Sequence, residues 1–354
     1  MTRIPFRARV PAMDSVDAVV DRGLTAVEEE DLERALEALD EAQRLVGENH
    51  VRVLHLAGLI AWSEGRLENA AGYLQQAVDA GAEQAEIYLD CAECLATSDQ
   101  DHGEAEAVLR SLLSREGADE EAKDQAHLLL AQLRLEDDDV DDALDELDAI
   151  SDARKSDPVY LSTRAMVLAA GGRDEEAAGA LERAVELEPD DADLHYQLAL
   201  LRELRGEEAA ARASMLRVLE LDVIDGEESG YTPLSEKERE ALRARFEEDI
   251  LTEVPDAVLA RMATVPILVQ RRATREQVAE GVNPRAPIAF HGEPARELAD
   301  GSLQDGTLRG IIIMRDLLLD EVDSEDDLVP VMMLSLLEEL RAFFRLDDLQ
   351  MASG

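Results

Sequence analysis

The chain has 354 residues, 46% of them hydrophobic and 33% charged, with an aromatic fraction of only 3%. This composition belongs to a soluble folded protein long enough for two cores, and an interior of Leu, Ala and Val suits closely spaced helices better than a sandwich of bulky strands. The 35 Lys and Arg residues against 81 Asp and Glu leave a net charge of −46, which repels phosphate backbones and anionic lipid surfaces and argues against nucleic-acid or membrane partners.

Residues 1–13 carry Arg3, Arg7 and Arg9 but no apolar stretch of signal-peptide length, and no run reaches the 18 or so apolar residues of a membrane span. A flexible N-terminal segment over 1–13 and a cytoplasmic location are therefore expected.

From residue 14 the chain repeats itself. Small residues at Gly23, Gly58, Ala92, Ala131, Ala165 and Ala199 are separated by 35, 34, 39, 34 and 34 positions, and a 34-residue period indicates stacked helix–turn–helix units. The fifth unit places Leu161 and Ala165 on a first helix, Gly172 at the turn, Ala177, Leu181 and Ala184 on a second helix, and Pro189 after it. The second unit matches with Leu54, Gly58, Gly65, Ala70, Leu74 and Ala77, and the sixth with Ala199, Gly206, Ala211, Met215 and Val218. These residues resemble the tetratricopeptide repeat, in which small side chains let two helices approach closely. Six units over residues 14–223 are expected, the first acting as a cap. Glu30 and Asp138 stand at the turn where Gly is usual, and about five extra residues follow the third anchor, within Thr97–Gly103 or Arg115–Glu121.

The two cysteines, Cys91 and Cys94, form a C-x-x-C pair. With no second pair to complete a zinc site and no strand before them to set up a redox helix, they read as small packing residues inside a helix.

The resemblance implies that the first helix of each unit lines a concave face, which by position includes Arg52, His55, Trp62, Gln125, Gln132, Ser162, Tyr196 and Glu203. Relatives that grip acidic C-terminal tails do so with Lys, Arg and Asn, whereas this face offers Arg52 and His55 alone. A basic or amphipathic helical segment of a protein or peptide is the expected ligand, with Trp62 and Tyr196 available as anchors or else packed within their own repeats.

Gly, Ser, Thr and Pro between Asp225 and Pro233 mark a linker, placed at 224–235, before a C-terminal domain at 236–354. Ser235 followed by Glu238 forms a capping-box pattern opening a helix to about Ile250, and Pro255 starts another. Val265–Val269 and Gly310–Met314 have strand composition, Pro287–Phe290 is extended, and a last helix runs from about Glu325 to Phe344. The fold class expected is mainly α: a tetratricopeptide-like solenoid followed by a small α+β domain.

The order of these elements, with Ala289-Phe290-His291-Gly292-Glu293-Pro294, Ile311-Ile312-Ile313-Met314-Arg315 and the helix text from Leu337 to Asp348, resembles a family of short bacterial zinc metallopeptidases with a minimal zincin fold. The resemblance covers roughly residues 240–350. In that family a helix bears His-Glu-x-x-His-x-x-Gly-x-x-Asp, whose two His, four apart on one helix face, hold Zn²⁺ while the Glu acts as general base. Here Glu339 matches the base and Asp348 the third ligand, while the two His positions are Glu338 and Ala342. Alanine cannot ligate, and two carboxylates do not make a stable zinc site. His291 could serve as a displaced ligand or be an ordinary loop His, and Glu338, Glu339, Asp347 and Asp348 could meet a hard cation or simply be a solvated acidic terminus.

No phosphate-binding loop, dinucleotide fingerprint or nucleophile elbow occurs, and no cofactor or metal is expected. The function implied is a non-catalytic interaction scaffold with a pseudo-peptidase domain. A residual metal-dependent peptidase using Glu339 with another ligand set is the alternative. In a third reading the C-terminal domain is purely structural and covers the apolar end of the last repeat, with extensive contact to Val218–Ile224.

Overall fold

The computed structural model describes residues 15–98, 102–228, 233–262, 264–297, 302–322, 324 and 327–346; the N-terminal segment 1–13 and Asp347 and Asp348 lie outside them. Two compact units divide the chain, residues 1–173 and 174–354.

In the first unit, antiparallel pairs are formed by α1 (Val16–Glu28) with α2 (Leu32–Val46), α3 (Val51–Ser63) with α4 (Leu67–Asp79), α5 (Ala85–Ser98) with α6 (Gly103–Leu113), and α7 (Glu120–Glu136) with α8 (Val140–Ala149); α9 (Pro158–Ala170) follows. Acidic and hydroxyl caps start many of them. Ser15 accepts from Ala18 N at 3.3 Å, Asp31 from Arg34 N at 3.1 Å and Asp119 from Ala122 N at 2.7 Å, each satisfying an amide that the first helical turn leaves without a partner. Part of the acidity is thus spent on helix starts, where the positive end of the helix dipole favours it.

The first helices touch one another in the order α1, α3, α5, α7, α9 and form one layer. Close approach within a pair depends on the small anchors: a Cβ on Gly58 would stand 2.6 Å from Leu74 Cγ. Cys91 and Cys94 are free, buried in α5 and packed in the core with Leu54, Leu74, Ile87 and Leu109, and burial pushes their thiols up to about 12 and about 11. They are packing residues, as expected once the zinc and redox readings of their spacing lack support. The insertion is largely an added turn at the start of α7, which has 17 residues where α3 and α9 have 13.

At the turns Gly65 and Gly172 take φ of +74° and +70°, and Glu30 and Asp138 take +57° and +62° at the equivalent places. The geometry of the repeat overrides the steric cost of a Cβ in the left-handed region. Replacing either residue with Gly, Glu30→Gly or Asp138→Gly, is expected to stabilise the first unit by about 0.5–1 kcal/mol, read as a higher denaturant midpoint at unchanged slope.

The second unit opens with α10 (Asp174–Leu187), α11 (Ala192–Leu204) and α12 (Glu208–Glu228). Helix α12 runs four residues beyond Ile224, into the stretch whose composition marks a linker. Then come α13 (Glu236–Arg245), a π-helical turn (Phe246–Ile250), a 3₁₀ turn (Leu251–Glu253), α14 (Asp256–Met262), β1 (Ile267–Gln270), α15 (Arg275–Ala279), β2 (Ile288–Glu293), β3 (Arg296–Glu297), β4 (Leu303–Gln304), β5 (Thr307–Met314), α16 (Arg315–Asp320) and α17 (Leu328–Phe344). The Ser235–Glu238 capping box is present at the start of α13.

Strands β1, β5 and β2 form a mixed sheet in that order, β1 parallel and β2 antiparallel to β5, while β3 and β4 make a separate short hairpin. Alternation along β5 sends Ile311 and Ile313 to a core shared with Phe246, Met332, Leu336 and Phe344. Ile312 and Met314 face a second core with Ala199, Met215, Leu219, Val278 and Ala289. Both faces of the central strand are therefore covered, one by α17 and the other by α11 and α12, which explains its nearly continuous apolar text. The last helix pair of the solenoid has its apolar face closed by the sheet.

Candidate functional site

The layer of first helices in the first unit carries the candidate interaction residues. Arg52, 8% exposed, reaches back from α3 to α1, where its guanidinium pairs with Asp21 and lies 4.0 Å from Asp17. His55 is fully buried, and its Nε2 stands 2.6 Å from Asp90 Oδ2 on α5. Arg52 and His55 are thus both engaged with carboxylates of neighbouring repeats. Trp62 is half-buried and packs against the core of its own and the next repeat. Ser162 is buried, Gln132 half-buried and Gln125 exposed.

More carboxylates than cations line this layer. Asp17 and Asp21 are about two-thirds exposed at the side chain, Glu86 is exposed and has no partner among the described residues, and Asp90 and Glu93 are half-buried. Burial and then the neighbouring Asp90 charge raise the Glu93 carboxyl above the usual range. In partly desolvated surroundings each of these carboxylates interacts more strongly with a positive charge brought near it. These acidic residues were not singled out from the sequence, although the signal exists: Asp17 and Arg52, and His55 and Asp90, are each one repeat length apart, 35 residues, and stacking makes such positions lateral neighbours.

In the second unit, Tyr196 is already occupied. Its hydroxyl accepts a hydrogen bond from Asn283 Nδ2 at 3.0 Å, and the Arg285 guanidinium lies 5.1 Å from its ring centroid. Arg285 also donates to Asp222 at 2.9 and 2.8 Å and to Asp193 at 2.5 Å, and these bonds raise its already high pKa. With Arg275 pairing with Glu220 at 2.5 Å, the segment before β2 is latched to α11 and α12. Arg285→Ala is expected to destabilise the second unit by about 1–2 kcal/mol, since it removes a bidentate ion pair and a cation–π contact while leaving Asp222 partly buried; thermal unfolding of the two proteins checks it.

Helix α17 places the residues that match the metallopeptidase motif on two different sides. Glu338 and Ala342 are exposed, and Glu339 turns inward. The outer edge of β2 leaves the Ile288 and Phe290 amides without a strand partner. Ser335 Oγ accepts from Ile288 N and Glu339 Oε2 accepts from Phe290 N, both at 3.0 Å. Two side chains four apart on one helix face thus cap the edge of the sheet, the position where an unpaired strand is otherwise a liability. Burial, followed by the charges of Glu338 and Glu203, pushes the Glu339 carboxyl up to about 7 against the lowering effect of the Phe290 hydrogen bond. Glu203, exposed on α11, is therefore electrostatically part of this C-terminal cluster. His291 pairs with Glu280. Among the described residues, the three-carboxylate-or-imidazole group close enough to share a metal is His55, Glu86 and Asp90 rather than any set on α17.

Residues 20–85 match the tetratricopeptide repeat family and residues 166–206 match a second description of the same repeat, so the chain contains tetratricopeptide repeats. A search of curated proteins finds no matching relative. Among solved structures, the type IV pilus biogenesis factor PilW superposes with a TM-score of 0.53 at 14% identity, covering 59% of this chain and 97% of that one. PilF of Pseudomonas aeruginosa gives 0.49 at 15% identity over 60% and 97%, and the apo quorum sensor NprR of B. thuringiensis 0.49 at 17% over 67% and 75%. At these identities the likeness to PilW is one of fold. No helix of the described residues is long and apolar enough to cross a membrane.

Proposed function

We propose that this protein is a non-catalytic interaction scaffold whose first unit holds a basic, amphipathic segment of a protein partner against the layer of first helices. The observation that carries this reading is the acidic lining of that layer, Asp17, Asp21, Glu86, Asp90 and Glu93, against which Arg52 and His55 are the compensating groups. Tetratricopeptide repeats commonly serve as protein-binding platforms, and PilW, with the same fold, is a pilus biogenesis factor; both support a scaffold role. A cationic helix would gain long-range attraction from the net charge and local pairing from the groove.

The C-terminal part is, on this reading, a zincin-like domain that lost its ligands and was kept as a closing element for the solenoid. Ala342 supplies no ligating atom, and Glu339, the residue matching the general base, is committed to the Phe290 amide. A domain of this kind works through its shape and its contacts with α11 and α12.

Fluorescence anisotropy with a labelled Lys-rich amphipathic peptide and its Glu-rich counterpart tests the partner reading. The basic peptide is expected to bind and the acidic one not, and Asp17→Asn with Asp21→Asn and Glu93→Gln should weaken binding roughly tenfold or more. The same number of neutralisations on second helices, Glu68→Gln with Asp141→Asn and Asp142→Asn, should change it little. Equal losses in the two triple variants would reduce the effect to net charge and overturn the assignment of this face.

A further inference from the structure

The buried imidazole of His55 has an environment that an ordinary His–Asp pair does not need. Its Nε2 faces Asp90; among the described residues its Nδ1 meets no hydrogen-bond partner, and Glu86, one turn before Asp90 on α5, brings a third donor into the same space and has no partner there. One ligand atom from each of the three residues lies within 4.8 Å of the others. We propose that His55, Glu86 and Asp90 form a site for a divalent transition-metal cation such as Zn²⁺ on the first-helix layer of the first unit.

The donor set fits that class of ion. One imidazole nitrogen and two carboxylates carry two negative charges, which balance a divalent cation, and imidazole selects Zn²⁺, Co²⁺ or Ni²⁺ over Mg²⁺ and Ca²⁺, which prefer oxygen alone. Metal–ligand distances of about 2.0–2.2 Å set neighbouring ligand atoms about 3.3 Å apart. Glu86 is exposed and free to swing inward, and the His55–Asp90 contact opens from 2.6 Å. Helices α3 and α5, packed rigidly in the core, fix the other two donors. Solvent on the Glu86 side leaves a fourth position for water or for a donor from a partner.

Where Nε2 carries a proton toward Asp90, the metal takes its place on binding. An imidazolium releases that proton to solvent, whereas a neutral ring moves it to Nδ1. Because protons compete with the metal for the imidazole and the two carboxylates, affinity should fall at acid pH; Asp90 and Glu86 on α5 are the charged groups that share the space with His55. Because Nδ1 has no acceptor, the bound tautomer lacks the supporting hydrogen bond that usually orients a metal-binding His, and the site should bind about 10- to 100-fold more weakly than one with that support.

The site shares Glu86 and Asp90 with the acidic lining of the peptide reading, but its test is separate: it uses metal alone on the full-length, tag-free, chelator-treated protein. Isothermal titration with Zn²⁺ and visible absorption with Co²⁺, both in physiological salt with excess Mg²⁺ to saturate exposed carboxylates, should give one site per chain with the d–d bands of a nitrogen-ligated ion. Glu86→Gln, a surface change that leaves the core intact, should weaken binding roughly 10- to 100-fold, and His55→Gln should abolish the nitrogen-dependent bands. Glu339→Gln should leave binding unchanged. Absence of a saturable site, or binding that Glu86→Gln does not alter, would overturn the assignment.

Discussion

Gly292→Ala should cost the second unit roughly 3 kcal/mol or more. Gly292 sits at the irregularity in the β2–β5 register between His291 and Gly292, with φ at +154°. A methyl group there would strike the Thr307 carbonyl oxygen and stand 3.1 Å from both Arg309 N and Leu308 Cα. All three neighbours are backbone of the adjoining strand, so relief requires separating β2 from β5 rather than rotating a side chain. Since β2 also presents the Ile288 and Phe290 amides to α17, the loss should spread to the helix. Denaturant unfolding followed by circular dichroism, together with limited proteolysis mapped by mass spectrometry, should show the second unit opening first. Gly72→Ala supplies the contrast: Gly72 lies exposed within α4 with nothing within 4 Å of a Cβ, and the substitution should stabilise by about 0.5–1 kcal/mol through helix propensity. An unaltered second unit in Gly292→Ala would show that the strand pairing at the bulge is not as described.

Glu339→Gln should stabilise the protein above neutral pH by up to about 3 kcal/mol. The folded-state carboxyl is raised from 4.5 to about 7, chiefly by burial and then by Glu338 and Glu203. Between those values the folded state holds a proton that the unfolded state has released, so stability falls as pH rises through the window and the full cost is present above about 7. Gln is isosteric, keeps an oxygen to accept from the Phe290 amide, and carries no charge to desolvate. The difference between the two proteins should be near zero at pH 4 and grow through pH 7, and taking that difference removes the contribution of the other carboxylates. Denaturant midpoints measured across the pH range check the slope. A constant difference, or a loss on substitution, would show that the charge at Glu339 is not a liability. If stability at neutral pH does improve, the carboxylate has been kept for a purpose other than the edge cap, since Gln performs that task.

Much of the solenoid was legible because a repeat makes the same physical demand again and again. Small residues at Gly58 and Ala165 announce close helix pairs, and Gly65 and Gly172 announce the turns between them. The turn at Glu30 and Asp138 was harder, as neither residue favours a left-handed conformation; the units on either side impose it. The C-terminal elements were also visible as text, from the Ser235 capping box to the strands around Val269 and Ile312. Their partners were not. Nothing in the sequence says that Tyr196, a candidate anchor for a partner, is covered by Asn283 and Arg285, residues about 90 positions further on, or that the inward side chain of Glu339 closes a strand edge.

What the sequence determined by itself is whatever depends on local spacing: the helical period, the Ser235 capping box, the strand character of Gly310–Met314, and the lack of a ligating atom at Ala342. Only the tertiary structure decided which polar groups are already used. The repeat register puts Arg52, His55 and Tyr196 on a face expected to meet a partner, yet the first two are taken up by carboxylates one repeat away and the third by the closing segment. Those pairings depend on distances between helices rather than along them, and in a chain with 81 acidic residues almost any cation has several possible partners until packing selects one.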